Sequence, residues 1–581
     1  MVTWLVLLAI GLPWLGGLAV WIIGDRRPRA QHVLACAFAA GAGLASVALV
    51  FQAGAIPVVR FPMGGSFGDL TFIPNGLGVF LAAVACVVGC LAVIFSVDYM
   101  RDEGQLGRYY ALVLLFIGAM VGLVLSGSLL FMFLFWEITA FCSYALISFH
   151  NDNPAAVAGG IKALVMTQLG GIGLLAGALF AYNAFGTYEI DIFLARAGEL
   201  GPTILAVVAF GFLIAAAAKS AQVPFHTWLP DAMEAPSPVT ALIHAATMVN
   251  AGVYLLARFY PAFALVPGWR TAVVIVGVLS ALLAGWMALV CPDLKRALAY
   301  STISQLGVMV YAVGVGAVFA SQFHLLSHAL FKALLFLAAG AVIHAVSTRE
   351  LARMGGLART MPFVRTAFVI GFLGLAAIPI ANGFFSKELV LESGLTDGPS
   401  WAYLGMVFGG GLTALYGLRL VDLTFGGERR GAGGHDAGRA MRFSLGLLSF
   451  GTLTSWILAG PMTQILAATM PSQHIEAATT LEVVEEIFTA PPTWLALAVT
   501  ALGLAVWRWR GTLTGLSTAL EPLAVWGRKG LGFDWINAQI VRATVGAAGG
   551  LRRTQTGQLA WNVAGLLVGL LAMAVAMTLW G

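Results

Sequence analysis

Charged side chains are scarce in this sequence: aspartate, glutamate, lysine and arginine make up only 10% of its 581 residues. Soluble domains carry about 25% charged residues, so this composition excludes an ordinary soluble protein. Apolar runs fill the chain instead, many of them longer than the ~18–20 residues that cross a hydrocarbon layer about 30 Å thick. We therefore predict a polytopic membrane protein. The net charge of +5 requires no nucleic-acid partner, because basic loops account for it.

Cysteine is also scarce, and the common phosphate-binding motifs are missing. The five cysteines form no C-x-x-C cluster, and the pair in "CVVGC" at 86–90 is spaced for one helix face. This pattern lacks the usual signatures of zinc and iron–sulfur sites. The sequence contains no P-loop and no G-x-G-x-x-G motif after a strand. We expect no cofactor in this chain and assign any redox chemistry to another chain.

Hydropathy predicts an all-α membrane protein with about sixteen transmembrane helices. The predicted spans lie near residues 3–24, 33–53, 75–97, 109–126, 128–148, 157–182, 203–229, 236–257, 271–291, 297–319, 323–346, 366–393, 400–424, 443–467, 493–507 and 559–579. Segment 511–558 is too charged to span, and we expect a short lateral amphipathic helix along the membrane surface there. Gly546, Gly549 and Gly550 argue against helix throughout that segment.

Basic residues are divided unequally between the two sides of the predicted bundle. Loops after odd-numbered spans hold twenty-two lysines and arginines, and loops after even-numbered spans hold four. The positive-inside rule therefore predicts odd loops in the cytoplasm and both termini outside. Five basic residues fall inside spans, where a central one costs about 2.5–3.5 kcal/mol. They are Lys162, Lys219, Lys332, Lys387 and Arg419.

The first candidate site combines an acid with a lysine. "LFMFLFWEITAFCSYALISF" places Glu137 within the fifth span, and "FGFLIAAAAKSAQVPFHTWLP" places Lys219 in the seventh. Burial favours the uncharged form of a lysine, whereas a nearby carboxylate favours the charged form. Movement of the carboxylate or its proton would therefore make Lys219 hold or release a proton. The alternative is a structural ion pair that only joins two helices.

Two spans are interrupted by proline close to a lysine. Pro224 follows Lys219, and "LAAIPIANGFFSKELVLE" at 375–392 places Pro379 before Lys387. Broken helices usually mark the ion site of a transporter, although unrelated proline kinks are the alternative. The breaks favour two inverted five-helix repeats. The predicted organisation is helices 1–3 in 1–108, the repeats in 109–257 and 271–424, helices 14 and 15 in 443–510, the amphipathic segment in 511–558 and the last helix in 559–581.

A third candidate site is a polar stripe in "FHLLSHALFKALLFLAAGAVIHA" at 323–345. His324, His328 and Lys332 recur every four residues and so share one helix face. Histidine titrates near neutrality and can pass protons, and His244 would bridge from the side of Lys219. Interhelical hydrogen bonds are the alternative for a single histidine. A zinc site is a weaker alternative, because the acid of an H-E-x-x-H motif is missing.

Several of these stretches resemble the antiporter-like subunits of respiratory complex I and of Mrp-type cation/proton antiporters. The matching stretches cover about residues 70–425 in family order: "FWEITAFCSYALISF", "AKSAQVPFHTWLPDAMEAPSPVTALIHAATMV", "DLKRALAYSTISQLGVM", "SHALFKALLFLAAGAVIH" and "NGFFSKE". Near the end, "GFDWINAQIV" and "RRTQTGQLAW" resemble the tail of the L (ND5-like) subunit. That tail carries a lateral helix and a sixteenth span. The large, A-type subunit of Mrp antiporters is the other similar subunit.

The resemblance implies a proton-translocating subunit of a multisubunit, NADH-quinone oxidoreductase-type complex, with the redox chemistry in other chains. Its partners would be the other membrane subunits, and its location the cytoplasmic (inner) membrane of a bacterium or archaeon. The first alternative is an Mrp-type Na⁺/H⁺ antiporter subunit, and the second a module of a membrane hydrogenase or inorganic-carbon uptake complex. Gly171 occupies a position where L-type subunits usually carry an acid, which favours the Mrp and hydrogenase relatives.

The resemblance also implies a role for each candidate residue. Glu137 and Lys219 would form the first half-channel, and Lys387 would lie near the exit half-channel. His244, His328 and Lys332 would form the central relay, with His324 matching the family pattern less closely.

Overall fold

The chain is almost entirely helical. Its structure is a computed structural model that describes residues 2–53, 58–63, 67–430, 434–473 and 475–554, with 563, 567–569 and 573 beyond them. Two compact units are present, residues 1–519 and residues 520–581. The first unit contains every candidate site residue.

The described residues form 23 α-helices and two short strands. The helices, numbered α1 to α23 in chain order, are Val2–Ile23, Pro28–Val50, Gly76–Tyr99, Leu106–Leu125, Leu129–Ile147, Pro154–Phe185, Ile190–Arg196, Pro202–Lys219, Trp228–Asp231, Ser237–Ala241, Met248–Phe263, Trp269–Val290, Leu294–Val315, Val318–Val346, Pro362–Leu375, Asn382–Asp397, Ser400–Phe425, Arg439–Thr454, Ala459–Thr469, Thr480–Thr489, Pro491–Arg508, Thr514–Arg528 and Phe533–Thr554. A π-helical segment, Leu242–Ala246, lies between α10 and α11.

Thirteen helical stretches of the described residues are long and apolar enough to cross a membrane, or fourteen if the bent pair α20 and α21 forms one span. The predicted twelfth span, 366–393, is divided between α15 and α16, and of these two α15 is a shorter apolar helix. The predicted sixteenth span, 559–579, lies almost wholly outside the described residues. The prediction of an all-α polytopic membrane protein is confirmed.

The buried core of the bundle is formed by its central helices. Residues 237–259 are all buried and 94% of the most apolar stretch of α13 is buried, whereas only 39% of the corresponding stretch is buried in α1, α2 and α6. The outer helices therefore present apolar faces for lipid or for partner chains. Polar side chains in the central helices must find partners within the chain, because lipid offers none.

Helix ends follow local sequence signals. Asn75, Asn153 and Asp293 accept backbone N–H groups at the first turns of α3, α6 and α13, as N-cap residues do. Gly186 and Gly316 end α6 and α13 with positive φ angles of 70° and 102°, which glycine adopts without strain. These capping residues thus define the helix ends more closely than hydropathy does.

Both predicted helix breaks are present. In the first, α8 ends at Lys219, Ala221 has a φ of 49°, and short turns and the four-residue helix α9 separate α8 from α10. In the second, α15 ends at Leu375 and α16 begins at Asn382, with Ala377 at a φ of 56°. A Cβ atom on Gly383 would lie 1.8 Å from the carbonyl oxygen of Gly374, so only glycine fits at this crossing.

A two-stranded sheet and a divided helical segment complete the described secondary structure. Strands β1 (Val59–Phe61) and β2 (Leu70–Phe72) pair antiparallel in the loop between α2 and α3. In the segment predicted to be amphipathic, α22 and α23 are separated at Gly530–Gly532, where Leu531 has a φ of 54°. The segment is therefore not one continuous helix, but its break lies at Gly530–Gly532, whereas Gly546, Gly549 and Gly550 all lie inside α23.

Candidate functional site

Lys219 is fully buried at the last position of α8. Its Nζ atom donates a hydrogen bond of 2.8 Å to the backbone carbonyl oxygen of Trp136 on α5. The same Nζ atom lies 4.7 Å from the centre of the Trp136 ring, in cation–π contact. The lysine is therefore held by a carbonyl dipole and an aromatic face inside the bundle.

Glu137 follows Trp136 on α5 and is half-buried. Its carboxylate faces α6, where a Cβ atom on Gly171 would lie 2.7 Å from Oε1. Oε1 has no hydrogen-bond partner, and none of the ion pairs within the described residues includes Glu137. The structure thus brings Glu137 and Lys219 into one site without joining them in a direct ion pair. Gly171, noted in the sequence for its lack of an acid, makes room for the carboxylate.

The helix break after Lys219 leaves backbone carbonyl groups without helical N–H donors, and side chains donate to them instead. Trp228 Nε1 donates to the carbonyl oxygen of Ala218 at 3.0 Å, and Gln222 Nε2 donates to that of Ser220 at 2.9 Å. The helix ends before Pro224, at Ser220 and Ala221, so the break begins earlier than the proline alone predicts. Non-helical backbone at this depth is tolerated because these donors replace the missing helical ones.

His244 lies in the π-helical segment and is fully buried. Neither ring nitrogen has a hydrogen-bond partner. Its ring centre lies 6.0 Å from that of Trp228 and 6.3 Å from that of Phe336. Phe336 in turn lies 5.7 Å from Nζ of Lys332. The contacts from the Lys219 turn to Lys332 thus run through aromatic rings, and within the described residues no continuous line of hydrogen bonds connects the two lysines.

The polar stripe on α14 is buried along its whole length. Lys332 Nζ donates to the carbonyl oxygen of Leu298 at 3.1 Å and to Oγ of Ser301 at 2.6 Å, both on α13. His324 is hydrogen-bonded through Nδ1 to Ser386 Oγ at 2.9 Å and through Nε2 to Gln305 Oε1 at 3.2 Å. The stripe therefore joins α14 to α13 and α16.

His328 differs from the other two members of the stripe. Both of its ring nitrogens are buried without a hydrogen-bond partner. The ring of Phe331 lies 5.5 Å from it in an edge-to-face arrangement. His244 and His328 are thus the two candidate relay residues whose ring nitrogens are unsatisfied by the protein.

Lys387 is buried at the second helix break. Its Nζ atom donates a hydrogen bond of 2.6 Å to the carbonyl oxygen of Leu375, the last residue of α15. Beside it is a cavity of about 30 Å³, enough for one water molecule, that Gln305 and Thr413 also line. Gln305 therefore connects His324 to the surroundings of Lys387.

Two further buried charged residues are not among the site residues predicted from the sequence. Glu388, next to Lys387, is 3% exposed and its Oε2 atom has no partner. Lys295 is likewise buried: it is 5% exposed and donates to the carbonyl oxygen of Ala235 at 2.7 Å. The signal for Glu388 was present in "NGFFSKE", where an acid follows the lysine directly.

Lys162 and Arg419, the other two basic residues inside predicted spans, each have a polar partner in the structure. Lys162 pairs with Asp231 at 2.7 Å, and Asp231 also pairs with Arg296 at 3.2 Å. Arg419 donates to the carbonyl oxygen of Cys291 at 3.0 Å. No group of three or more potential metal ligands is found in the described part of the chain.

The sequence matches the family model described as "NADH:quinone oxidoreductase/Mrp antiporter, TM" over residues 126–413. The chain is 37% identical over 507 residues to NADH-quinone oxidoreductase subunit L of Escherichia coli (strain K12), covering 84% of this chain and 81% of that protein. It is 41% identical to the A1 subunit of the Na(+)/H(+) antiporter of Staphylococcus saprophyticus over 61% of this chain and 47% of that protein.

Another relative is also matched over only part of its length. NAD(P)H-quinone oxidoreductase chain 5 of Picosynechococcus sp. is 41% identical over 62% of this chain, and the match spans 57% of that relative. Among solved structures, a chain of the Mrp complex from Dietzia sp. superimposes with a TM-score of 0.82 at 28% identity, covering 100% of this chain and 63% of that chain. The family and the fold are thus supported by sequence and by structure together.

Proposed function

Since the chain belongs to the NADH:quinone oxidoreductase/Mrp antiporter family of membrane proteins, we propose that it translocates protons as one membrane subunit of a multisubunit energy-converting complex of the NADH-quinone oxidoreductase type. Its partners are other membrane subunits of that assembly. It resides in the cytoplasmic membrane with both termini outside, as the distribution of basic residues in the loops favours.

One observation carries the proposal: Lys219, Lys332 and Lys387 are buried, and none belongs to an ion pair within the described residues. Each donates instead to a backbone carbonyl oxygen, of Trp136, Leu298 and Leu375 respectively. A structural ion pair requires a carboxylate in contact with the lysine, so these contacts argue against the structural alternative. An ammonium held only by dipoles can release its proton when the local charge changes.

In this mechanism, Lys219 takes up a proton from the cytoplasmic side while Glu137 tunes its affinity. Transfer to Lys332 passes His244 and His328, whose unsatisfied ring nitrogens can accept and donate protons. Because Trp228 and Phe336 lie in this region, transfer requires transient hydration around the rings. From Lys332 the proton reaches Lys387 by way of His324, Gln305 and the adjoining cavity.

Sodium exchange is the second candidate function. The similarity to the A1 subunit of a Na(+)/H(+) antiporter and the match to an Mrp complex support it. The glycine at position 171, which receives the Glu137 carboxylate, favours the same group of relatives. A role in a membrane hydrogenase or an inorganic-carbon uptake complex is distinguished from both by the subunits that co-purify.

The test is proton uptake by everted membrane vesicles that contain the native assembly with Lys219→Ala. We expect translocation to fall at least ~100-fold, the usual contribution of a positioned acid–base group, while the assembly remains intact on a native gel. Lys162→Ala is the matched control, because Lys162 is a membrane lysine that pairs with Asp231 and is partly exposed. Wild-type pumping in Lys219→Ala would refute the assignment. Uptake that depends on an imposed Na⁺ gradient would favour the second candidate.

A further inference from the structure

Two arginines that the proton relay does not use lie near the ends of α11 and α17. Arg258, counted as a loop residue from the sequence, is within α11 and only 1% exposed. Its Nη1 atom donates to Tyr254 Oη at 2.7 Å, and Tyr254 donates to the carbonyl oxygen of Val124 at 2.6 Å. Arg419 donates directly to the carbonyl oxygen of Cys291.

These contacts are equivalent in the two predicted repeats. Val124 is in the last turn of α4, the first helix of one repeat, and Cys291 follows α12, the first helix of the other. Each arginine is therefore linked to the carboxyl end of the first helix of its repeat, Arg258 through Tyr254 and Arg419 directly. Helix α4 is the fourth predicted span, so the loop after it is predicted to be outside. Helix α12 is the ninth predicted span, so the loop after it is predicted to be cytoplasmic. The two arginines thus lie on opposite sides of the membrane, Arg258 towards the predicted outer side and Arg419 towards the cytoplasm.

Neither positive charge is neutralised. Nε and Nη2 of Arg258 and Nη1 of Arg419 have no hydrogen-bond partner. Of the ion pairs found in the described ranges, none includes either arginine, and Asp422, three residues after Arg419, pairs with Arg510 at 3.0 Å. A group that served only to cap a helix would not need buried, unpaired donors, which are costly to maintain.

Each arginine lies between a relay lysine and one side of the membrane. Ser220, next to Lys219, donates to the carbonyl oxygen of Val249 on α11 at 2.6 Å, and Arg258 is ~13 Å further along that helix at 1.5 Å per residue. In the other repeat, Thr413 of α17 lines the cavity beside Lys387. Arg419 is ~9 Å further along α17, in the direction of the cytoplasm.

We propose that Arg258 and Arg419 are electrostatic barriers that close the outer side of the first repeat and the cytoplasmic side of the second repeat to cations. A fixed positive charge beside a hydrated path repels protons and Na⁺ alike. Lys219 would then exchange ions with the cytoplasm only, and Lys387 with the outside only. This arrangement gives the relay its direction, and it rests on the proposed function, because it requires both lysines to carry the transported ion.

The experiment measures passive proton leak through the native assembly in sealed membrane vesicles, without any driving reaction, as the decay of an imposed pH gradient. Arg258→Gln keeps N–H donors for Tyr254 but removes the positive charge. Arg258→Lys keeps the charge with altered geometry. We expect Arg258→Gln to increase the leak about tenfold, which corresponds to about 1.4 kcal/mol, and Arg258→Lys to stay near wild type. Arg419→Gln and Arg419→Lys should behave in the same way.

A second substitution separates a specific path from general damage. If the leak in Arg258→Gln passes through Lys219, adding Lys219→Met should abolish it, whereas a leak caused by misfolding would persist. The barrier is refuted if both glutamine variants remain tight, if the lysine variants leak equally, or if neither glutamine variant assembles. Driven uptake by wild-type vesicles tests the proposed function separately, so a wild type that pumps while the glutamine variants stay tight overturns only the barrier.

Discussion

Nζ of Lys219 lies 2.8 Å from the backbone carbonyl oxygen of Trp136. A carbonyl oxygen cannot be protonated near neutrality and carries no net charge, so it orients the ammonium group without fixing its protonation state. In the proposed mechanism, the protonation state of Lys219 is set instead by the charge on Glu137, the next residue along α5. Position and proton affinity would then be controlled by separate groups, and a change at Glu137 would alter proton release while Lys219 stays in place.

Glu137→Gln should preserve assembly but reduce proton translocation about tenfold, a smaller loss than for Lys219→Ala. The reason is that the carboxylate acts on Lys219 electrostatically and makes no direct ion pair with it; a tenfold loss corresponds to about 1.4 kcal/mol in the barrier. Proton uptake in everted vesicles measures the effect. Glu199→Gln is the control, because Glu199 is exposed and pairs with Arg196 at the surface. Unchanged uptake in Glu137→Gln would show that this carboxylate does not tune the lysine.

Gly171→Ala should mimic the loss of Glu137. An added methyl group would lie 2.7 Å from Glu137 Oε1, so the carboxylate must move away from its present position. We expect slower uptake with an assembled complex. Gly11→Ala in α1 is the control, since a Cβ atom there meets nothing within 4 Å. Equal activity of the two variants would mean that the carboxylate position is unimportant.

Gln305→Leu should interrupt the link between His324 and the cavity beside Lys387. Gln305 Oε1 is hydrogen-bonded to His324 Nε2 at 3.2 Å, and the residue lines that cavity. We expect at least a tenfold loss of uptake, about 1.4 kcal/mol in the barrier. The matched control is Gln322→Leu, because Gln322 is 4% exposed and faces an apolar cavity lined by Leu77 and Phe80. Similar losses in both variants would indicate a packing effect.

The sequence was sufficient to predict the two helix breaks and the burial of the lysines beside them. Proline and glycine near Lys219 and Lys387 are local signals, and hydropathy locates a span without knowledge of its neighbours. The burial of the His324, His328 and Lys332 stripe followed from the same reasoning. The number of spans is harder to predict where one span is divided into two helices. For α15 and α16, each helix alone is shorter than a membrane crossing.

The partners of the buried groups could not be predicted, because they depend on contacts between distant segments. No local sequence signal indicates that Nζ of Lys219 donates to the Trp136 carbonyl oxygen and not to the carboxylate of Glu137, which is 82 residues away in the sequence. Hydropathy falls at Arg258 and predicts a loop there, although α11 continues to Phe263. Similarly, the proximity of Gly171 to Glu137 depends on the packing of α6 against α5.

The crossing of α15 and α16 makes a prediction about stability. A Cβ atom on Gly383 would lie 1.8 Å from the Gly374 carbonyl oxygen, and backbone cannot move away as a flexible side chain can. Gly383→Ala should therefore destabilise the protein by about 1–3 kcal/mol or more, as overpacking does, and should lower the melting temperature of the purified assembly. Gly546→Ala is the opposite case: its Cβ meets nothing within 4 Å inside α23, and alanine favours helix by about 1 kcal/mol. If Gly383→Ala melts at the wild-type temperature, the close approach of the two half-helices is not required, and the position of Lys387 at their junction would need another explanation.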